Sequence, residues 1–106
     1  LWGAMFETAV AAELKKQTSF LSRMPNFYHW RTYSGAEVDI ILEYNGIFYP
    51  IEIKAKTNPS RRDTMGISAF RKKYPQLNIA QGLVVAPCSG VIQLSENDYA
   101  ASWDLL

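Results

Sequence analysis

Two neighbouring segments decide the fold of this chain: residues 37–41, with the sequence EVDII, and residues 50–54, with the sequence PIEIK. Both are short apolar runs of the kind that form core strands, yet both contain ionisable side chains. Because strand side chains alternate between two faces, Glu52 and Lys54 share one face and the isoleucines beside them share the other. If the two strands pair antiparallel, Asp39 can face Glu52 and Lys54 across the ladder.

This arrangement predicts a polar site on the sheet. Two carboxylates and an ammonium group on a partly buried sheet are costly unless they neutralise one another or bind a metal ion. Hard cations such as Mg²⁺ or Mn²⁺ take oxygen ligands. We therefore expect Asp39 and Glu52 to be metal ligands, together with the backbone carbonyl of Ile53. Glu7 would add a ligand, directly or through water, if the first helix packs against this face. Lys54 would orient or deprotonate a metal-bound water.

The order of elements around these strands predicts a mixed α/β domain. Turn chemistry, above all the hairpin signal at Asn45-Gly46, separates three strands, and a helix between the third and fourth strands implies a parallel crossover. The tail from Asp98 onwards lacks a decisive period and favours a short helix or packed coil. The predicted elements are a helix over 3–17, strands over 27–33, 37–44 and 47–55, a helix over 60–74, a strand over 79–86 and an edge strand over 91–94.

Length and composition fit one domain spanning residues 1–106, with 48% hydrophobic and 20% charged residues. The chain begins at Leu1 rather than Met, so we expect it to be part of a longer protein. The lone cysteine, Cys88, cannot form an internal disulfide, which favours a reducing compartment and predicts a cytoplasmic protein. No apolar run reaches the ~20 residues that a membrane span requires.

Positive charge is concentrated between Lys54 and Lys73, where seven basic residues face one acidic residue, although the net charge of the chain is only +1. Such a cluster can bind a phosphate backbone, or it can be an ordinary solvated surface. We expect the nucleic acid to be DNA, and the basic residues predicted to contact it are Lys56, Arg61, Arg62, Arg71 and Lys72.

Two other polar residues have simpler explanations. His29, the only histidine, shares a strand face with aromatic and basic neighbours and is expected to have a half-exposed structural role. Glu37 shares the face of Asp39, where it could bind metal or form a salt bridge with Arg31.

The motif made by Asp39, a hairpin and Glu52-Ile53-Lys54 resembles the PD-(D/E)XK motif of restriction-endonuclease-like nucleases, in which Glu7 would be the acid of the first helix. The pattern has Val38 where the family motif has proline. The segments 3–7, 35–39 and 50–54 also resemble the C-terminal domain of uncharacterised prokaryotic ATPases that carry an AAA-type motor at the N-terminal end.

This resemblance implies a restriction-endonuclease-like αβββαβ core, a mixed sheet flanked by helices. It also implies Mg²⁺- or Mn²⁺-dependent hydrolysis of nucleic-acid phosphodiester bonds, by a domain attached to an ATPase. In that reading the catalytic residues are Asp39, Glu52, Lys54 and Glu7. The alternative is a catalytically silent module that keeps this fold and regulates or targets the ATPase through DNA or protein contacts. The oligomeric state is open, and a homodimer would be needed to cut both strands of a duplex at once.

Overall fold

The computed structural model describes residues 2–105, so both end residues of the predicted 1–106 domain lie outside the described range. It contains two α-helices, seven strands and two short 3₁₀ helices within that range. The elements are α1 (Trp2–Thr18), β1 (Asn26–Arg31), β2 (Glu37–Tyr44), β3 (Ile47–Ile53), a 3₁₀ helix (Arg61–Thr64), α2 (Met65–Lys73), β4 (Asn78–Ile79), β5 (Gly82–Ala86), β6 (Val91–Gln93), β7 (Asp98–Ser102) and a 3₁₀ helix (Trp103–Leu105).

The predicted three-stranded meander is confirmed. β1 pairs antiparallel with β2, and β2 pairs antiparallel with β3. The β2–β3 turn has positive φ angles of 54° at Asn45 and 81° at Gly46. Asparagine and glycine tolerate this region better than other residues, which explains why this dipeptide connects the two strands.

All seven strands form one mixed sheet. The strand order is β1-β2-β3-β5-β7-β6. The short strand β4 pairs with the first residues of β3, and β5 pairs with its last residues. β5 lies parallel to β3 after the connection through α2, as the crossover rule predicts. β6 is the outermost strand and pairs antiparallel with β7, which confirms the predicted edge strand.

The two α-helices pack on opposite faces of the sheet. In α1 the buried residues Phe6, Val10 and Leu14 recur every four positions and contact one face of β3 and β5. In α2 the buried residues Ile67 and Phe70 contact the other face. Neither helix in the described part of the chain combines the length and the apolar character needed to cross a membrane.

The structure differs from the predictions at α2. The single helix predicted over 60–74 begins as the 3₁₀ helix and becomes α-helical only at Met65. The carboxylate of Asp63 accepts a 2.8 Å hydrogen bond from the backbone N–H of Ser60, which closes a tight first turn.

The prediction for the tail is wrong. Residues 98–102 form β7, which lies between β5 and β6, and only the last residues form a short 3₁₀ helix. This strand has the sequence DYAAS, which lacks the large β-branched residues that identify a buried strand. β7 lies in the sheet interior because it pairs with β5 on one side and with β6 on the other. Its residue Ala100 is fully buried there.

Candidate functional site

Asp39 and Glu52 are brought together where β2 and β3 separate. The regular ladder between these strands ends at the pair Ile40–Ile51. Beyond it, the backbone N–H of Asp39 donates a 2.8 Å hydrogen bond to Glu52 Oε1, and the backbone N–H of Ile53 donates one of 2.8 Å to Asp39 Oδ2. Each carboxylate therefore replaces a backbone carbonyl that would accept these bonds in a continuous ladder.

A bulge in β2 lies at the point of this separation. Tyr28 pairs with Ile41 and Trp30 pairs with Val38, so β2 has one residue more than β1 over the same stretch. An extra residue re-aims side chains and interrupts pairing. The predicted proximity of Asp39 and Glu52 is therefore present, but an irregular strand produces it and not the regular ladder that the sequence suggested.

Burial raises the pKa of Glu52 to about 7, and the negative charge of Asp39 adds to this rise. The Glu52 residue is only 5% exposed, so its charged form has little contact with water. The hydrogen bond from the Asp39 backbone and the positive charge of Lys54 act in the opposite direction and favour the charged form. A carboxyl group that is neutral at slightly acid pH and charged at slightly basic pH can respond to an added cation.

Lys54 directly follows β3, and its side chain returns to the site. Its backbone N–H donates a 2.9 Å hydrogen bond to the carbonyl of Val85 on β5, which holds the residue in the sheet. Its Nζ atom lies 3.6 Å from Glu52 Oε2. The ammonium therefore pairs with one of the two carboxylates, and it is partly accessible to solvent.

Glu7 lies at the border of this group of charges. The residue is exposed on α1, so it lies at the edge of the apolar stripe. Partial burial raises the pKa of Glu7, and the charges of Asp39 and Glu37 raise it further. Glu7 is thus within electrostatic reach of the site.

Glu52 and Lys54 open into a cleft of about 460 Å³. The cleft lies between the β1–β2 turn, the end of β3 and the start of α2. Asp39 and Glu7 are not among its lining residues, so the structure places only part of the predicted set in this cleft. The lining residues are Ser34, Gly35, Ala36, Glu37, Glu52, Lys54, Arg62, Asp63, Met65, Gly66 and Ala69.

Gly66 allows α2 to form one wall of this cleft. A Cβ atom at this position would lie 1.9 Å from the backbone oxygen of Glu37. Only glycine permits such a close approach of the helix to β2. Glycine usually weakens a helix interior, but at this position the contact between helix and sheet requires it.

The five basic residues predicted to bind nucleic acid fall into two groups. Lys56 Nζ lies 2.8 Å from Asp63 Oδ2, and Arg71 Nη2 donates a 3.0 Å hydrogen bond to Asp98 Oδ1. Both aspartates are buried, so these two cations have structural partners. The remaining three residues are exposed: Arg61, Arg62 and Lys72. Of these, Arg62 lines the cleft.

The sequence reasoning missed the position of His29 beside the site. Its Nδ1 atom lies 3.2 Å from the backbone oxygen of Asp39, and its Nε2 atom lies 3.0 Å from Glu37 Oε2. Glu37 also lies 3.9 Å from Arg31 Nε, the pairing that the sequence suggested. His29 reaches Asp39 because it lies opposite the bulge, and the sequence contains no signal for that bulge.

Comparison with known proteins shows which family the chain matches. The family model described as "Domain of unknown function (DUF4143)" matches residues 2–106. No curated protein and no solved structure matches the chain. DUF4143 domains are commonly found at the C-terminus of AAA-type ATPases. Because the match covers nearly the whole chain, this protein belongs to the DUF4143 family.

Proposed function

We propose that this domain hydrolyses phosphodiester bonds of nucleic acid in a Mg²⁺- or Mn²⁺-dependent reaction. The observation that carries the proposal is a pair of 2.8 Å hydrogen bonds that hold the two carboxylates together: Asp39 N–H donates to Glu52 Oε1, and Ile53 N–H donates to Asp39 Oδ2. Lys54 stands beside this pair, 3.6 Å from Glu52. Two carboxylates and a lysine at the end of adjacent strands are the group that a PD-(D/E)XK nuclease uses.

The fold is compatible with this proposal. Three antiparallel strands, a helical crossover and the parallel strand β5 follow α1, in the order that the restriction-endonuclease-like core requires. We propose that α1, β1, β2, β3, α2 and β5 form this core, and that β7 and β6 extend its sheet.

The donor atoms of the site fit a hard divalent cation. The two backbone hydrogen bonds use Asp39 Oδ2 and Glu52 Oε1, so each carboxylate has a second oxygen that these bonds do not engage. Within residues 2–105 no group of three or more histidine, cysteine or acidic side chains is arranged to hold a metal. Mg²⁺ characteristically binds one or two carboxylates and keeps several waters, so two carboxylates are sufficient. Glu7 would then act through water, and the Ile53 carbonyl stays a predicted ligand.

A cation held by Asp39 and Glu52 supplies positive charge for the phosphate and lowers the pKa of bound water. The protein's own contribution begins with Lys54. Its ammonium is partly exposed and can donate a hydrogen bond to a nonbridging phosphate oxygen, where negative charge develops during hydrolysis. It can also orient the attacking water. Arg62 lines the same cleft and can contact the phosphate backbone on its far side.

We further propose that the domain acts as part of a longer chain with an AAA-type ATPase. The support is the family itself, whose members commonly follow such ATPases. In this arrangement the ATPase would deliver or remodel the nucleic acid that the domain cuts. The setting proposed is cytoplasmic.

The second candidate function is a catalytically silent module for DNA or protein contact. It is favoured by the internal pairing of the site, because every buried side-chain nitrogen and oxygen among the described residues has a hydrogen-bond partner. In this case the polar group would be a structural ion-pair network that stabilises the end of the sheet.

Calorimetric titration and a cleavage assay, both with the protein as it occurs, separate the two functions. The unaltered protein should bind Mn²⁺ or Mg²⁺ and cut a labelled DNA or RNA substrate only when the cation is present. Asp39→Asn should abolish both while leaving the protein folded, because the amide oxygen still accepts a hydrogen bond and a like charge is removed. Glu43→Gln, at the other end of β2, is the matched control and should change neither. If no cation binds at millimolar concentration and no substrate is cut, the nuclease proposal is wrong and the catalytically silent module is the remaining function.

A further inference from the structure

A second cleft is lined by the end of β1, the start of the β1–β2 turn and the end of α2. Its volume is about 670 Å³, and its lining residues are Arg31, Thr32, Tyr33 and Lys73. The next three residues of the same turn, residues 34–36, line the cleft that contains Glu52 and Lys54. The turn is therefore a wall that the two clefts share.

Tyr33 is held outward at this wall. Its relative exposure is 113%, so the ring packs against nothing in the described part of the chain. The turn that carries it is well bonded: the Thr32 backbone N–H donates to the Ala36 carbonyl at 2.9 Å, and the Ala36 N–H donates to Thr32 Oγ1 at 3.1 Å. A fully exposed aromatic ring on an ordered turn presents a flat face at little cost in conformational entropy.

Two cations flank this ring. Arg31 ends β1, its side chain is 69% exposed, and its Nε atom only approaches Glu37, at 3.9 Å. Lys73 ends α2, is exposed, and forms no ion pair with a residue between 2 and 105. The second cleft therefore combines positive charge with one accessible aromatic face.

We propose that this second cleft binds a single-stranded segment of nucleic acid, with one base stacked on Tyr33 and backbone phosphates against Arg31 and Lys73. An exposed aromatic ring can stack on a base only if that face of the base is free, which favours a single strand over a duplex. Exposed cations at the rim of a cleft attract phosphates without selecting a sequence.

The second cleft would extend the function proposed above. The direction in which the bound strand would run rests on that proposed function. A strand whose phosphodiester bond lies beside Glu52 and Lys54 would cross the turn and reach Tyr33 within a few nucleotides. The second cleft would then hold the strand on one side of the point of hydrolysis. None of its three binding residues belongs to the group that would bind metal.

The test is binding of a fluorescently labelled oligothymidylate of 12 nucleotides, measured by anisotropy in EDTA so that no cleavage takes place. Tyr33→Ala should weaken binding about tenfold, as expected for loss of one stacked base. Tyr33→Phe should bind like the unaltered protein, because the ring is retained. Phe20→Ala is the matched control, since Phe20 is 87% exposed but lies beyond the far end of α1.

The salt dependence tests the two cations. Replacing Arg31 and Lys73 together by glutamine should reduce the slope of log K against log salt by about 1.4, since each phosphate contact with a single strand contributes about 0.7. The control pair is Lys16→Gln with Arg23→Gln, which removes the same charge from the opposite end of the domain, where Arg23 acts on Glu43.

The outcomes separate this inference from the proposed hydrolysis. Binding that requires Tyr33 in a protein that cuts nothing supports the second cleft and refutes the nuclease. Cleavage of DNA or RNA with oligothymidylate binding unaffected by Tyr33→Ala overturns the second cleft alone. The inference is also overturned if the unaltered protein does not bind the oligonucleotide, or if it binds a duplex more tightly and the duplex is insensitive to Tyr33→Ala. That last result would indicate that the exposed ring serves a different partner, such as a protein.

Discussion

Asp39 and Glu52 hold each other in place through the main chain: the N–H of Asp39 donates a 2.8 Å hydrogen bond to Glu52 Oε1, and Asp39 Oδ2 accepts one of 2.8 Å from Ile53. Neither carboxylate can rotate away without leaving a backbone N–H unsatisfied. Two like charges are thereby kept close together at a mostly buried position. The site is consequently rigid, and its net charge depends on pH and on bound cations.

The first prediction concerns the pH dependence of stability. Burial and the charge of Asp39 raise the pKa of Glu52 from 4.5 to about 7. Between these pH values the folded protein binds a proton that the unfolded chain has lost, so the free energy of unfolding should fall as pH rises from about 4.5 to about 7. The shift corresponds to roughly 3 kcal/mol.

Glu52→Gln isolates this contribution. The amide mimics the protonated carboxyl group and keeps the acceptor for the Asp39 N–H, so the variant should lack this part of the pH dependence. Urea unfolding in EDTA at pH 5 and pH 8 should show the variant gaining stability relative to the unaltered protein at the higher pH. A difference between the two proteins that does not change with pH would contradict the proposed titration.

The second prediction concerns Lys54→Ala. Cation binding should persist at pH 8, because both carboxylates remain, whereas cleavage should fall by about 10²-fold or more through loss of the ammonium beside the phosphate. Calorimetry and a cleavage assay on the same preparation measure the two effects. Lys16→Ala, an exposed lysine on α1, should leave both unchanged. Equal cleavage by Lys54→Ala and the unaltered protein would exclude a role for Lys54 in hydrolysis.

The third prediction concerns Gly66→Ala. The added methyl group would lie 1.9 Å from the Glu37 carbonyl oxygen, so α2 must move away from β2. We expect a loss of about 1–3 kcal/mol in the free energy of unfolding, typical of overpacking. In Gly3→Ala the new methyl group meets nothing closer than 4.0 Å, so chemical denaturation should show no loss and up to about 1 kcal/mol of gain. Equal effects of the two substitutions would show that the helix contact is not tight.

The fourth prediction separates structural from solvated basic residues. Arg71 pairs with Asp98, which is 2% exposed and also accepts a 2.7 Å hydrogen bond from Ser95 Oγ. Arg71→Gln should lower the free energy of unfolding by about 3 kcal/mol, because it leaves a buried carboxylate without its cation. Lys72→Gln, the exposed neighbour, should change it by less than about 0.5 kcal/mol. Similar stabilities of the two variants would show that Arg71 is a solvated residue without a structural role.

The proximity of Asp39, Glu52 and Lys54 could be predicted from the sequence, but the geometry that joins them could not. Alternation along β3 correctly assigned Glu52 to the face opposite the core isoleucines. The bulge in β2, and with it the contact of His29 with the Asp39 carbonyl, depends on how β1 and β2 pair, and no local pattern encodes that register.

The sequence by itself determined the elements whose causes are local. Asn45-Gly46 tolerates the positive φ angles of a tight turn, apolar spacing of four residues produced α1, and the strand–helix–strand order dictated a parallel pair. Each of these depends on residues that are close along the chain.

Only the tertiary structure decided the place of β7 and the partner of Arg71. β7 is stabilised by strands on both sides, and its aspartate is tolerated in the interior because an arginine 27 positions earlier reaches it from α2. The burial of Asp98 and the small residues of β7 acquire their meaning from neighbours that the chain brings together only on folding. A local reading therefore predicted a coil or helix, because the free energy that favours this strand comes from contacts distant in sequence.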